Sequence, residues 1–303
     1  MRLPGFVYND RMKSRPARSF LLVFVLLALC IGGYVLYDRG RPAPVPVKEE
    51  LYEGVTYRRV VRFLPHPLIA HVLTIDTKAK GIEFLVTPPD ASGEQPLKAR
   101  TTSQFLEEFG LQIAINGDNF GPWWSRGPAD YYPHVGDPVA PFGFAASKGR
   151  VYAIDNIEEV GIRPTLYINR RNVLSFNNQP NRIHHAISGE RMIVLKGEVV
   201  PDLDDRELDP RTAAGINRNG RYLYIVVVDG RQPFYSEGAT FVDLAELMIE
   251  QGAFMAMNMD GGGSSTMVIE GENGEPRILN SPVDSMIPGR ERPVGNHLGI
   301  FVK

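Results

Sequence analysis

The sequence is poor in cysteine, with Cys30 alone in 303 residues. No intramolecular disulfide can form and no cysteine-based zinc cluster can be built, so the fold must hold through its core. An excess of one charge is also missing: 33 Lys and Arg stand against 35 Asp and Glu, for a formal net charge of −2. No long basic run occurs beyond the N-terminus, so the phosphate-neutralising surface of a nucleic-acid binder is lacking and no such partner is expected. The familiar catalytic signatures are absent too. No lysine follows the one long glycine run, which excludes a Walker loop, and neither GxGxxG, GxSxG nor HExxH occurs. The six histidines are scattered, with His184 and His185 the single adjacent pair, and they read as structural.

What the chain does have is an uncharged apolar stretch at residues 19–37, SFLLVFVLLALCIGGYVLY. As a helix it would be about 28 Å long, close to the thickness of a bilayer's hydrocarbon core. Arg2, Arg11, Lys13, Arg15 and Arg18 precede it, whereas Arg39 and Arg41 follow beside Asp38. The basic side should stay cytoplasmic, which places the rest of the chain outside, periplasmic or extracellular. A cleaved signal peptide is the rival, but the run is long for one and no clear small-x-small site follows. The organisation read from this is a basic tail at 1–18, a single-pass signal-anchor at 19–37, a proline-rich linker at 38–50 and a domain at 51–303. In the linker, Pro42, Pro44 and Pro46 alternate with other residues, a pattern that favours extended polyproline II.

Strand-like runs occur at 69–75, 82–86, 113–115, 193–195, 222–228 and 267–269, and 298–302 reads as a buried terminal strand. The run at 222–228 is apolar at every position and predicts a central strand covered on both faces. Thr240 with Asp243 opens a helix in the manner of a capping box, and Gly252 closes it; Thr101 or Thr102 opens another that stops at Gly110. The expected fold is α+β, mixed β-sheets flanked by helices and preceded by one transmembrane helix.

These two helices begin a pattern that occurs twice. Gly110-Leu-Gln-Ile-Ala-Ile-Asn116-Gly-Asp118 aligns without gaps on Gly252-Ala-Phe-Met-Ala-Met-Asn258-Met-Asp260. A pseudo-duplication would bring two Asn/Asp pairs to one cleft. Were Asp118 and Asp260 to end adjacent parallel strands, their backbones would lie about 5 Å apart, near the spacing of a retaining glycosidase pair. The alternative is chance likeness between two common αβ units.

The densest local signal is Asp260-Gly-Gly-Gly-Ser-Ser265. Consecutive glycines free the backbone for positive φ and can turn amides toward an anion, with a carboxylate before them and two hydroxyls after. Taken alone it could also be a plain turn. Arg211, at the start of an apolar strand, offers a guanidinium suited to phosphate or carboxylate; Arg290 and Arg292 are similar. Asp229-Gly-Arg231 reads first as a turn. Trp123, Trp124, Tyr131 and Tyr132 lie on a proline- and glycine-rich loop, where they would either stack on a ligand or form a small loop core.

Taken in order, Arg211-Thr-Ala-Ala-Gly215, Val228-Asp-Gly-Arg231, Ser236-x-Gly238, Asn258-x-Asp-Gly-Gly-Gly-Ser-Ser-Thr266, Asn280-x-Pro282 and Arg292-x-Val-x-Asn296 resemble the phosphodiester glycosidase family. That family includes N-acetylglucosamine-1-phosphodiester α-N-acetylglucosaminidase and bacterial proteins associated with exopolysaccharide. The resemblance covers residues 51–303, and Asn116-Gly117 matches an earlier block; the position of Asp118 is variable in the family.

The resemblance implies a hydrolase that cleaves a sugar-1-phosphodiester at the anomeric carbon and releases sugar and a phosphomonoester, here on cell-envelope or exopolysaccharide material. Asp260, with Asp118, is then expected as the catalytic pair. Asn116, Arg211, Thr212, Asn258, Gly261, Gly262, Gly263, Ser264, Ser265 and Arg292 are expected to bind substrate. No cofactor is required on this reading, although clustered Asp and Asn oxygens would suit Ca²⁺ or Mg²⁺. The competing class is a non-catalytic carbohydrate- or phosphate-binding accessory of polysaccharide assembly, which would tolerate loss of Asp260. Sugar, leaving alcohol, anomeric outcome and oligomeric state are not encoded legibly.

Overall fold

Alternate residues of the strand Tyr222–Val228 enter two different buried clusters, Leu223, Ile225 and Val227 one and Tyr224, Val226 and Val228 the other. Side chains alternate across a pleat, so an apolar run of this kind needs cover on both sides, as the sequence predicted. The structure, a computed structural model, describes residues 15–42, 44–91, 93–127, 130–155 and 161–302. The chain divides into two compact units, Met1–Ala43 and Pro44–Lys303.

In the first unit the described residues form one helix, Arg15–Gly40. Its stretch Ser19–Tyr37 has a mean hydropathy of 2.6 and exposes its apolar side chains, and is long and apolar enough to cross a membrane. The basic tail read over 1–18 lies largely outside the described residues.

The second unit is built from stacked antiparallel sheets. An eight-stranded sheet runs in the order Val47–Tyr52, Val55–Arg62, Leu68–Asp76, Tyr222–Val228, Arg211–Ile216, Met255–Asn258, Arg191–Leu195, Glu198–Val199. A five-stranded sheet runs Pro276–Ile278, Met267–Glu270, Ile113–Asn116, His297–Val302, Ile82–Val86. Their inner faces meet in one core, where Leu73, Ile225 and Met257 pack with Phe84, Ile115 and Leu298. Leu166, Ile168 and Ile187, from another five-stranded sheet, close the same core.

Each principal sheet carries a helix on its outer face. Phe241–Glu250 covers the larger with Leu244, Leu247 and Met248, and Thr102–Phe109 covers the smaller with Phe105 and Leu106. The predicted capping box at Thr240 forms, and a second stands at Thr101. Gln104 N–H donates to Thr101 Oγ1 at 3.2 Å and Asp243 N–H to Thr240 Oγ1 at 3.0 Å, while Gly110 takes the left-handed conformation at φ 62°. Each box satisfies amides that the helix start leaves open, worth about 1 kcal/mol.

Two expectations are corrected. The linker is shorter than 38–50, because the helix runs to Gly40 and the first strand begins at Val47. The paired motifs do not end adjacent parallel strands. Ile113–Asn116 lies between Met267–Glu270 and His297–Val302, and Met255–Asn258 between Arg211–Ile216 and Arg191–Leu195, all antiparallel. Each copy brought its own helix to cover its own sheet, so the copies face each other across the core.

Candidate active site

The two strand ends nevertheless meet. Asp260 N–H donates to Gly117 O at 3.0 Å, Asn116 Nδ2 donates to Asp260 O at 2.7 Å, and Asn119 Nδ2 donates to Asp260 Oδ1 at 2.7 Å. Thr212 Oγ1 and Thr266 N–H both donate to Asn116 Oδ1, at 2.9 and 3.1 Å. Asn116 and Thr212 are therefore occupied with each other and with the backbone of the Asp260 turn. Asn258 donates from Nδ2 to Glu190 Oε2 at 2.8 Å and to Met259 O at 2.7 Å. Its Oδ1 is buried and without a hydrogen bond, an uncommon state for a buried acceptor.

Asp260 itself is partly exposed. Burial of the charge pushes its carboxyl up to about 6, and the negative charge of Glu190 pushes the same way; Ser264, Arg292 and the Gly261 amide pull it down. Ser264 Oγ is near enough to exert that pull yet makes no hydrogen bond of full geometry, and the buried Ser265 and Thr266 hydroxyls also lack partners. A desolvated carboxyl poised near neutrality, beside donors with nothing to donate to, is the usual mark of a functional site.

The glycines serve close approach more than anion cradling. Gly262 N–H donates to Pro210 O at 2.8 Å, and the amides of Ser264 and Ser265 close a 3₁₀ turn on Gly261 O and Gly262 O. The backbone instead lies under two guanidinium groups. A Cβ on Gly263 would stand 2.5 Å from Arg292 Nη2, and one on Gly262, at φ +59°, would stand 3.1 Å from Arg231 Nη2. Arg292 Nε is held by Asp284 Oδ1 at 2.8 Å and Arg231 Nε by Asp209 Oδ1 at 2.8 Å. Each aspartate fixes one edge of its arginine and leaves the Nη edge at the glycine turn, the fork that suits phosphate oxygens.

Arg211 is placed differently. Its Nε donates to Ala239 O and its Nη2 to Glu207 O, both at 3.1 Å, and its guanidinium lies 4.1 Å from the centre of the Phe241 ring. Strand alternation explains this, since Arg211 shares a face with Ala213 and Val228, toward the Phe241–Glu250 helix. The guanidinium read as a phosphate ligand is packed as a structural one.

The profile of the phosphodiester glycosidase family matches residues 109–301, a span that holds both motif copies, Arg231 and Arg292. The chain belongs to the phosphodiester glycosidase family. The same fold appears in the zebrafish N-acetylglucosamine-1-phosphodiester α-N-acetylglucosaminidase catalytic domain, auto-inhibited by its pro-peptide. That domain has a TM-score of 0.56 and 19% identity, with 88% of this chain and 86% of that one covered. A hypothetical protein from Synechocystis has a TM-score of 0.52 and 14% identity, with 86% of this chain covered but only 64% of that one. An exported protein from Burkholderia pseudomallei K96243 has a TM-score of 0.54 and 16% identity, covering 81% and 76%. At such identities the likeness is one of fold, and no curated protein matches the sequence.

In this member of the family, Asp118 is locked into the interior. Its Oδ1 accepts from Arg163 Nη1 at 2.6 Å and Asn119 N–H at 2.8 Å, and its Oδ2 from Gly143 N–H at 2.7 Å. Burial pushes its carboxyl up to about 6 against the pull of Arg163 and those amides, with the charge of Asp260 adding to the rise. Arg163 Nη1 also donates to Asn119 Oδ1 at 2.9 Å, so Asp118, Arg163, Asn119 and Asp260 form one chain of contacts. Asn119, Arg163, Glu190 and Arg231 escaped the sequence reading as site residues. Asn119 stands beside a motif and Arg231 was visible as part of a turn, but Arg163 and Glu190 come from separate loops with no local pattern. Among the described residues no three His, Cys, Asp or Glu side chains gather as a cation site.

Proposed function

We propose that this chain hydrolyses a sugar-1-phosphodiester at the anomeric carbon, acting outside the cytoplasm on cell-envelope or exopolysaccharide material, with the N-terminal helix as its anchor. One observation carries the reading: the Asp260 carboxyl sits at a turn overlaid by the Nη edges of Arg231 and Arg292. In the reaction the bond between the anomeric carbon and the phosphate oxygen breaks and its electron pair leaves with the phosphate. Arg231 and Arg292, with Ser264 and Ser265, receive that charge. Asp260 stabilises the positive charge that grows on the sugar, as nucleophile or as base for the water whose oxygen replaces the phosphate. Phosphate is a good leaving group, so demand for a strong general acid is small. Asp118 serves as a positioning residue, holding Asn119 through Arg163.

The accessory-protein reading fits the same cradle less well. A carboxylate beside two anion-binding guanidiniums opposes phosphate binding, so a pure binder gains by losing it. Wild-type and Asp260→Asn proteins are compared on a panel of sugar-1-phosphodiesters, with products identified. Free sugar plus phosphomonoester from the wild type alone supports the glycosidase. Sugar phosphate as product indicates a phosphodiesterase, and tighter binding by Asp260→Asn with no turnover by either protein favours the accessory role.

A further inference from the structure

Exposed apolar side chains stand on separate loops at the end of the domain that holds the site. Phe63 and Leu64 are 66% and 84% exposed, and Met286 and Ile287 are 60% and 47%. Trp123 is 49% exposed and lies 6.0 Å beneath the Arg292 guanidinium, stacked on Tyr131 at 5.6 Å. The loops are joined to the phosphate cradle. Glu237 N–H donates to Pro67 O at 2.8 Å, tying the Phe63–Leu64 turn to the loop that carries Arg231. Asp284, which holds Arg292, begins the turn that carries Met286 and Ile287. Scattered single apolar residues on a surface need no account, but several at the end that holds a charged site do.

Register puts all of this at one end of the large sheet. Arg62 pairs with Leu68, Ala70 with Val228, Val228 with Arg211 and Ala213 with Asn258, so the Phe63–Leu64 turn and the Asp260 turn leave the same edge. The chain enters the sheet near that edge, because Val47 pairs with Arg59. In sequence only residues 41–46 separate that strand from the apolar helix. A cleft of about 330 Å³, walled by Trp123, Tyr131, Pro133, Arg290 and Arg292, opens beside Asp284.

We propose that the alcohol esterified to the phosphate is a lipid, so that the enzyme takes a polyprenyl-type sugar phosphodiester from the membrane surface, its apolar rim resting in the bilayer interface. The proposal rests on the glycosidase reading and supplies its leaving group. Water adds its oxygen to the anomeric carbon, the carbon–oxygen bond to phosphate breaks, and sugar and lipid phosphate are released. The cradle of Arg231 and Arg292 takes the charged headgroup, while Phe63, Leu64, Met286 and Ile287 meet acyl chains. Tryptophan and tyrosine favour that interfacial depth, and apolar contact together with cationic attraction is how a surface holds to such a membrane.

The test uses the full chain in phosphatidylethanolamine–phosphatidylglycerol nanodiscs. Its substrates are matched phosphodiesters of glucose, galactose, mannose and N-acetylglucosamine bearing a methyl, a polyprenyl or an oligosaccharide alcohol. The expected result is a kcat/KM at least tenfold higher for the polyprenyl ester than for the methyl ester. A Phe63→Asp/Leu64→Asp variant should lose that gain and keep methyl-ester turnover. Equal kcat/KM on the two esters, preference for the oligosaccharide ester, or an equal loss on both in the variant overturns the proposal. A second readout is independent of turnover. The protein has two tryptophans, Trp123 and Trp124, so nanodiscs of brominated phosphatidylcholine should quench its emission. Absence of quenching overturns the membrane-facing rim, whereas quenching with no ester hydrolysed keeps the rim and sinks the glycosidase reading.

Discussion

Asn119 Nδ2 donates to Asp260 Oδ1 at 2.7 Å, a bond that crosses from the end of one sheet to the end of the other. It fixes one oxygen of the carboxylate. Since Asn119 is itself held by Arg163 at 2.9 Å, its amide cannot turn away. Asn119→Ala should lower kcat by roughly ten- to a hundredfold with little change in KM, because misplacement of a reacting group is felt in the transition state. A rise in KM at constant kcat would mean that Asn119 binds substrate instead.

The raised pKa of Asp260 makes two claims at once. Activity should fall as pH drops through about 6, where the carboxyl takes up its proton. Stability runs the other way. The folded pKa lies above the ordinary carboxyl value of 3.8, so the native state holds the extra proton between those values. Its stabilising effect is complete below 3.8 and is lost as pH rises through 6. Asp260→Asn should therefore abolish turnover while raising Tm at pH 7.5 by a few degrees, about 2–4 °C per kcal/mol recovered. The gain should vanish at pH 4. Thermal unfolding at the two pH values decides it, and a Tm lowered at pH 7.5 would contradict the assignment of burial as the cause.

Gly263 is defined by what lies above it. A Cβ would stand 2.5 Å from Arg292 Nη2, so Gly263→Ala must displace the guanidinium proposed to receive the phosphate. Loss of kcat/KM by about a hundredfold is expected, with the fold retained by circular dichroism. An alanine variant with unchanged kinetics would remove Arg292 from the cradle.

The fold was largely legible because its elements obey local rules: two helices opened by threonine, a doubly covered strand and a repeated helix–glycine–strand motif all stand where the residues put them. The site was legible only where it is contiguous. Asp260 and its glycines form one run, and the likeness of Asn116 to Asn258 forecast that their strand ends meet. It could not forecast that they belong to facing sheets, because strand order depends on long-range pairing. Arg211 misled for a related reason. A guanidinium at the start of a strand reads the same whether the pleat turns it toward the ligand or toward Phe241, and one position of alternation decided it.

That contrast is testable. Arg231→Ala should weaken substrate and inorganic phosphate binding by ten- to a hundredfold with Tm nearly unchanged, since its partner Asp209 sits near the surface. Arg211→Ala should do the opposite: it strips two carbonyls and the Phe241 ring of their partner and should cost about 1–3 kcal/mol of stability. Urea unfolding and phosphate competition on both variants separate the roles. A destabilised Arg231→Ala with intact phosphate affinity would reverse them.

Glu190 lies close enough for its charge to raise the Asp260 carboxyl, and it accepts from Asn258 Nδ2 at 2.8 Å. Glu190→Gln removes the charge and keeps an oxygen for that hydrogen bond. Asp260 should then ionise at lower pH, so the acid limb of the kcat/KM profile should move down and the variant should outperform the wild type near pH 5. A merely structural Glu190 would leave the profile's shape unchanged and scale its height. If Glu190 also carries the proton of the attacking water, the variant loses activity at pH 8 by tenfold or more, within the usual range for general acid–base help. An acid limb that does not move would take Glu190 out of the site.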